Sequence, residues 1–257
     1  RVRVAEADLQ LVSGDLGFVT DAGISSEARW KHANFTGGGR SLTITALAQT
    51  GWLALTENPD IRYRLAVSLK QPAFLNRRAS GLITPFIEHR DDVQDRSTQY
   101  GVNATYVQRF RATRSVSLDY QIARRQIYDY RFGDLVSGDI DLLTFLTQVA
   151  QGALDSTGSS LRSSTFTLSG NFASLDDPAN PRRGAVLKPG IQVTAPTAIS
   201  STAYWRIGAS ANGFVPLGSR SVIATRASLG HVYPFGKSIP APGEAPLVKY
   251  LQLRDAL

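Results

Sequence analysis

Ile61-Arg62-Tyr63-Arg64-Leu65-Ala66-Val67-Ser68-Leu69-Lys70 sorts its side chains into two chemistries with a period of two. Ile61, Tyr63, Leu65, Val67 and Leu69 are apolar, and the residues between them are charged, small or polar. In an extended strand these two sets point to opposite faces, a separation no helix could achieve. One face therefore seeks an oily medium and the other seeks water.

The contrast recurs along the chain. Val116, Leu118, Tyr120 and Ile122 alternate with Ser115, Ser117, Asp119 and Gln121; Phe166, Leu168 and Phe172 alternate with Thr165, Thr167, Ser169 and Asn171; Leu187, Ile191 and Val193 alternate with Lys188, Gln192 and Thr194. Two media fit such strands: a second sheet, as in a soluble sandwich, or lipid, as in a membrane barrel with a wet lumen. Strand length and the asymmetry of the connections decide between them.

Eleven strands are expected from residue 9 onward, over 9–18, 24–34, 42–53, 61–70, 81–89, 100–109, 114–128, 161–175, 185–195, 203–215 and 221–233. Many reach ten residues or more, whereas soluble strands are nearer five or six. Pro85 falls inside one of them and requires a bulge or an unpaired position. The connections alternate in size. Gly37 to Gly39, Arg111 to Thr113 and Pro216 to Gly218 are short, while 130–160 and 235–257 lie on the other side and are long. That is the asymmetry of outer-membrane barrels, with long extracellular loops and short periplasmic turns. The reading is thus all-β, a transmembrane antiparallel up-and-down barrel. Within 130–160, Asp139 or Asp141 caps a short expected helix bearing Leu142, Phe145, Leu146, Val149 and Ala153 at helical spacing.

Composition narrows the function. The 257 residues hold no cysteine, so neither disulfides nor thiolate metal sites are available. A net charge of +7 invites nucleic acid, but the arginines are spread singly along alternating strands and suit a lumen or rim better. His32, His89 and His231 have no Gly-x-Ser-x-Gly elbow or His-Glu-x-x-His pair beside them, so no enzyme, catalytic residue, metal or cofactor is expected. Trp30, Trp52, Tyr63, Tyr100, Tyr128, Tyr204, Trp205 and Tyr233 lie near expected strand ends, where interfacial girdles form.

Three segments resemble a known family. Gly17-Phe18-Val19-Thr20-Asp21-Ala22-Gly23, followed by Trp30-Lys31-His32-Ala33-Asn34-Phe35-Thr36-Gly37-Gly38-Gly39, is similar to the opening hairpin of the bacterial surface-antigen barrels, the BamA/TamA outer-membrane assembly factors. Asn180-Pro181-Arg182-Arg183-Gly184 resembles the family's turn before its ninth strand, and the Pro-rich segment from Lys237 stands where its long sixth extracellular loop begins. The family's Val-Arg-Gly-type loop signature does not occur here. The resemblance implies a fragment with about eleven of about sixteen strands, residues 1–7 being the tail of a periplasmic POTRA-like domain and 8–257 the N-terminal part of the barrel. It further implies a bacterial outer-membrane location and a role in folding and inserting other β-barrels. The expected partners are the lipid bilayer, unfolded outer-membrane clients and periplasmic or lipoprotein accessory subunits, with no nucleic acid. Leu9, Leu11, Gly14, Leu16, Gly17 and Phe18 become the expected lateral-gate strand. A pore or polypeptide transporter, as in two-partner secretion, is the alternative.

Overall fold

The computed structural model describes residues 8–56, 59–91, 95–130, 160–218 and 221–239. The expected helix around 139–153, the tail at 1–7 and most of the terminal loop lie outside them. Eleven strands form one antiparallel sheet: β1 (Gln10–Val19), β2 (Gly23–His32), β3 (Ser41–Gln49), β4 (Ile61–Pro72), β5 (Ala79–Asp91), β6 (Asp95–Arg111), β7 (Arg114–Tyr130), β8 (Ser160–Leu175), β9 (Gly184–Thr194), β10 (Tyr204–Leu217) and β11 (Ser221–Pro234). Each strand pairs with its neighbours in sequence, in the order β1 to β11, so the topology is up-and-down throughout.

Register carries the two chemistries of β4 across the whole sheet. Leu65 stands opposite Ala46 and Ile87, and Ile87 opposite Tyr100. Farther along, Leu168 lies between Leu118 and Ile191, and Ile191 opposite Ile207. Among the described residues no protein layer covers this face: Leu65 is 47 % exposed, Ile83 52 %, and Ile207 47 %. A sandwich would have buried these side chains. Lipid therefore supplies their apolar surroundings, as the alternation and strand lengths require.

The opposite face is wet and predominantly cationic, with Arg62, Arg64, Arg90, Arg125, Lys188 and Arg206 sharing it by strand parity. Glu88 holds Arg62 at 2.9 Å and Arg64 at 3.4 Å, and Asp60 lies 3.8 Å from Arg90. A small apolar island interrupts it, where Ala66, Phe86 and Ala123 are buried together and the Arg64 guanidinium sits 5.4 Å from the centre of the Phe86 ring.

Pro85 takes an unpaired position without a bulge. Its ladder to β6 is continuous through Pro85↔Val102, but the ladder to β4 jumps from Ala66↔Phe86 to Leu69↔Ile83 with no change of register. Proline brings no N–H to that side, so two positions are left open. Ser68 and Thr84 bridge the gap through their hydroxyls at 3.0 Å. Pro189 does the same in β9: it pairs with Ala209 of β10, while the β8 ladder skips from Ser169↔Gly190 to Phe172↔Leu187.

Two expectations need correction. The third strand ends at Gln49 instead of near Leu53, because Gly51 and Leu53 take positive φ (70° and 63°) and the chain folds onto the β1–β2 turn. There the Ile24 amide donates to the Trp52 carbonyl at 3.0 Å and the Leu55 amide to the Thr20 carbonyl at 2.9 Å. Tyr204 is also no girdle residue; it is fully buried, on the parity of Arg206, at the start of β10.

Candidate functional site

The first strand is one lateral edge of the sheet. Its ladder to β2 is complete, from Gln10↔His32 to Val19↔Gly23, and among the described residues no strand pairs with its other side. All ten residues of β1 are exposed. Leu16 is 81 % exposed and Val12 76 %, since among the described residues only β2 flanks this strand. The structure places Leu11, Gly14, Leu16, Gly17 and Phe18 on β1, with Leu9 just before it, where its carbonyl accepts the Ala33 amide at 2.6 Å.

No close contact among the described residues forces either glycine of β1, and Gly190 inside the sheet is equally uncrowded, a Cβ there meeting only the Leu168 carbonyl oxygen at 3.8 Å and Ser169 Cβ at 3.9 Å. A Cβ at Gly17 would meet nothing within 4 Å, and one at Gly14 would meet only the Glu27 carbonyl oxygen at 3.7 Å, an ordinary contact. At Gly101, by contrast, a Cβ would lie 2.4 Å from the Ile122 carbonyl oxygen. Close packing explains Gly101; among the described residues no such contact accounts for Gly14 or Gly17. What the latter do is lower the strand's own stability.

Two turns hold the opposite end of the strands. In 33–40, Thr36, Gly37, Gly38 and Gly39 all take positive φ, a run of left-handed backbone that three glycines make tolerable. Asn34 closes it, its Oδ1 accepting the Gly39 amide at 2.9 Å. In the turn before β9, Gly184 has φ +120° and a Cβ there would fall 1.9 Å from the Ser174 carbonyl oxygen. The Asn180-Pro181-Arg182-Arg183-Gly184 segment is organised by a residue outside that run. Oδ1 of Asp176 accepts the amides of Asp177 (2.9 Å), Arg182 (3.0 Å) and Arg183 (3.0 Å). Those donors, that of Arg183 foremost, hold its carboxyl below the usual aspartate value. An aspartate six residues before Arg182 is the sequence signal for this cap, in the manner of an Asx turn.

The three histidines stay apart. The His32 Nδ1 accepts the Asn34 amide at 3.3 Å, His89 Nδ1 is 2.9 Å from Thr98 Oγ1, and His231 packs near Trp205. Among the described residues no group of three histidine or acidic side chains could hold a metal ion.

Residues 34–244 match the model of the Omp85 superfamily domain. No curated protein matches the chain. Among solved structures, the crystal structure of BamA from Haemophilus ducreyi lacking POTRA domains 1-3 is similar in fold, with a TM-score of 0.67 and 19 % sequence identity. The likeness covers 90 % of this chain and 42 % of that one, so the chain spans less than half the length of that structure. An oily, uncovered face, a wet cationic face, consecutive antiparallel strands and a family match over most of its length lead to one conclusion: the chain belongs to the Omp85 superfamily of outer-membrane β-barrel proteins.

Proposed function

We propose that this barrel assists the folding and insertion of other β-barrel proteins in the outer membrane, and that β1 is the strand at which it does so. One observation carries the reading: β1, the first strand of a barrel of the Omp85 superfamily, bears two glycines that its described neighbour β2 does not demand by contact. In a bilayer, unpaired backbone groups have no water to satisfy them, and an incoming strand that pairs with them gains its own hydrogen bonds at the same time. Strand addition at such an edge is a recognised mode of binding extended chains. A weakly held β1 can then exchange partners without losing the barrel. Its clients are unfolded outer-membrane proteins, and periplasmic or lipoprotein subunits are the expected accessories. Residues 1–7 fit the tail of a preceding POTRA-like domain, with 8–257 the first part of the barrel.

The test uses the full-length protein reconstituted in liposomes with an unfolded β-barrel client. A Gly14→Val/Gly17→Val variant, for which the structure has room, should stiffen β1 and slow client insertion several-fold. A disulfide joining β1 to the strand that closes the barrel should abolish insertion reversibly. Normal insertion by the oxidised, locked protein would refute the role of this edge.

A further inference from the structure

On β7 and β8 the membrane-facing side of the sheet carries a pair of like charges that does not belong in hydrocarbon. Along β7 the outward positions run Val116, Leu118, Tyr120, Ile122 and then Arg124; along β8, read toward the same end, they run Leu168, Phe166, Ser164 and then Arg162. The ladder places Arg124 and Arg162 directly opposite each other. Like charges facing across a strand pair repel. Both side chains are exposed, and among the described residues neither has a carboxylate partner.

The site is built. Nε of Arg124 donates to Ser160 Oγ at 2.8 Å, which orients the guanidinium and leaves both Nη groups for another acceptor. Arg162 is fixed through its backbone, since β8 runs past the end of β9 and the connection 195–203 takes the place of a neighbouring strand. The Arg162 amide donates to Ser201 Oγ at 2.8 Å, and its carbonyl accepts the Ser201 amide at 2.7 Å and the Ser200 hydroxyl at 3.2 Å. Two residues on, Tyr120 and the Ala195 carbonyl both engage the buried Ser164 hydroxyl, at 3.1 and 2.7 Å. Tyr100 stands opposite Arg124 on the other flank, with its ring on the same face.

The pair lies toward the 131–159 connection, the longest on its side of the sheet and hence the extracellular one. It therefore sits where the apolar band gives way to headgroups of the outer leaflet. We infer that Arg124 and Arg162 form a clamp for the phosphate of an outer-leaflet glycolipid. Two guanidinium forks matched to one tetrahedral dianion convert the repulsion into paired, charge-assisted hydrogen bonds, and the adjoining Leu118, Ile122 and Phe166 offer the acyl chains an apolar floor. This inference rests on the barrel's place in the outer membrane and is independent of the role of β1.

The test titrates the purified full-length protein in detergent with lipid A carrying its phosphates, with the same lipid after phosphatase treatment, and with inorganic phosphate, counting bound lipid by native mass spectrometry. Arg124→Gln and Arg162→Gln should each weaken phosphorylated lipid A about fivefold, and the double variant about 25-fold. Arg114→Gln, on the same face at the periplasmic end, should stay within about twofold of the parent. Paired lysine replacements should retain most of the binding, since charge survives and only the fork is lost. Equal binding of the phosphate-stripped lipid, or undiminished binding by the double variant, would overturn the clamp. Displacement of lipid by equimolar inorganic phosphate would overturn the lipid assignment and leave a free-anion site. If the double variant fails to fold, the comparison of the two lipids on the unaltered protein still decides.

Discussion

Replacing Gly184 with alanine offers the sharpest check on how the turn before β9 is built. The residue holds φ +120°, where side-chain-bearing residues are strained by roughly 1–3 kcal/mol. The added carbon would also fall 1.9 Å from the Ser174 carbonyl oxygen, so the ends of β8 and β9 must separate, which costs a further amount of about 1–3 kcal/mol by analogy with overpacked cores. The sum centres on about 4 kcal/mol. With a urea dependence near 3 kcal/mol per molar, the unfolding midpoint of the full-length barrel should fall by about 1 M. Tryptophan fluorescence reports it, since Trp205 lies on β10, the neighbour of β9. Gly17→Ala is the internal control: extended backbone and empty space predict a gain of about 0.5–1 kcal/mol. If both alanines shift the midpoint alike, steric geometry is not what distinguishes these glycines, and the assignment of Gly17 to a weak strand loses its basis.

Other consequences are open to measurement. Asp176 titrates below its usual value in the folded turn, so the unfolded chain binds the proton more tightly. Its contribution is therefore complete above the ordinary aspartate value and is lost as pH falls through the lowered one. Amide protection at Arg182 and Arg183 should follow that course, and Asp176→Ala should abolish it at every pH. Glu88→Gln should destabilise the barrel by about 1–2 kcal/mol by leaving Arg62 and Arg64 without their shared, partly buried carboxylate; an unchanged unfolding midpoint would show that the three groups are solvated independently. In planar bilayers the open lumen of the full-length protein should prefer anions, since Arg62, Arg64, Arg90, Arg125, Lys188 and Arg206 share the wet face, and a cation-selective current would contradict that distribution.

Strand number, order and direction were legible because a period of two is a direct imprint of a sheet between two media. The expected strands differ from β1 to β11 mainly at their ends. The third strand overran because Thr50-Gly51-Trp52-Leu53 carries the same kind of residues as a strand, and only the positive φ at Gly51 and Leu53, imposed by packing on the β1–β2 turn, ends it. Tyr204 was misread for a related reason, as an aromatic near a strand end gives no sign of which face it occupies until register is known. The glycines of β1 could be seen in the sequence, but their meaning could not, because a packing glycine such as Gly101 and an unforced one such as Gly17 are identical as letters. The Asp176 cap had a signal in the sequence, six residues before Arg182, but the Arg124–Arg162 pair was hidden by the thirty-odd residues between its members, which only the ladder collapses.

The two proline gaps have a mechanical corollary. Each removes backbone hydrogen bonds along one line, between β4 and β5 and between β8 and β9, while every strand on either side remains knitted to its other neighbour. Among the described strand pairs, resistance to bending is reduced along those lines. The described strands thus behave as three stiff staves, β1–β4, β5–β8 and β9–β11, hinged at two compliant joints, and a change in curvature of this part of the wall would be taken up at the joints while each stave keeps its shape.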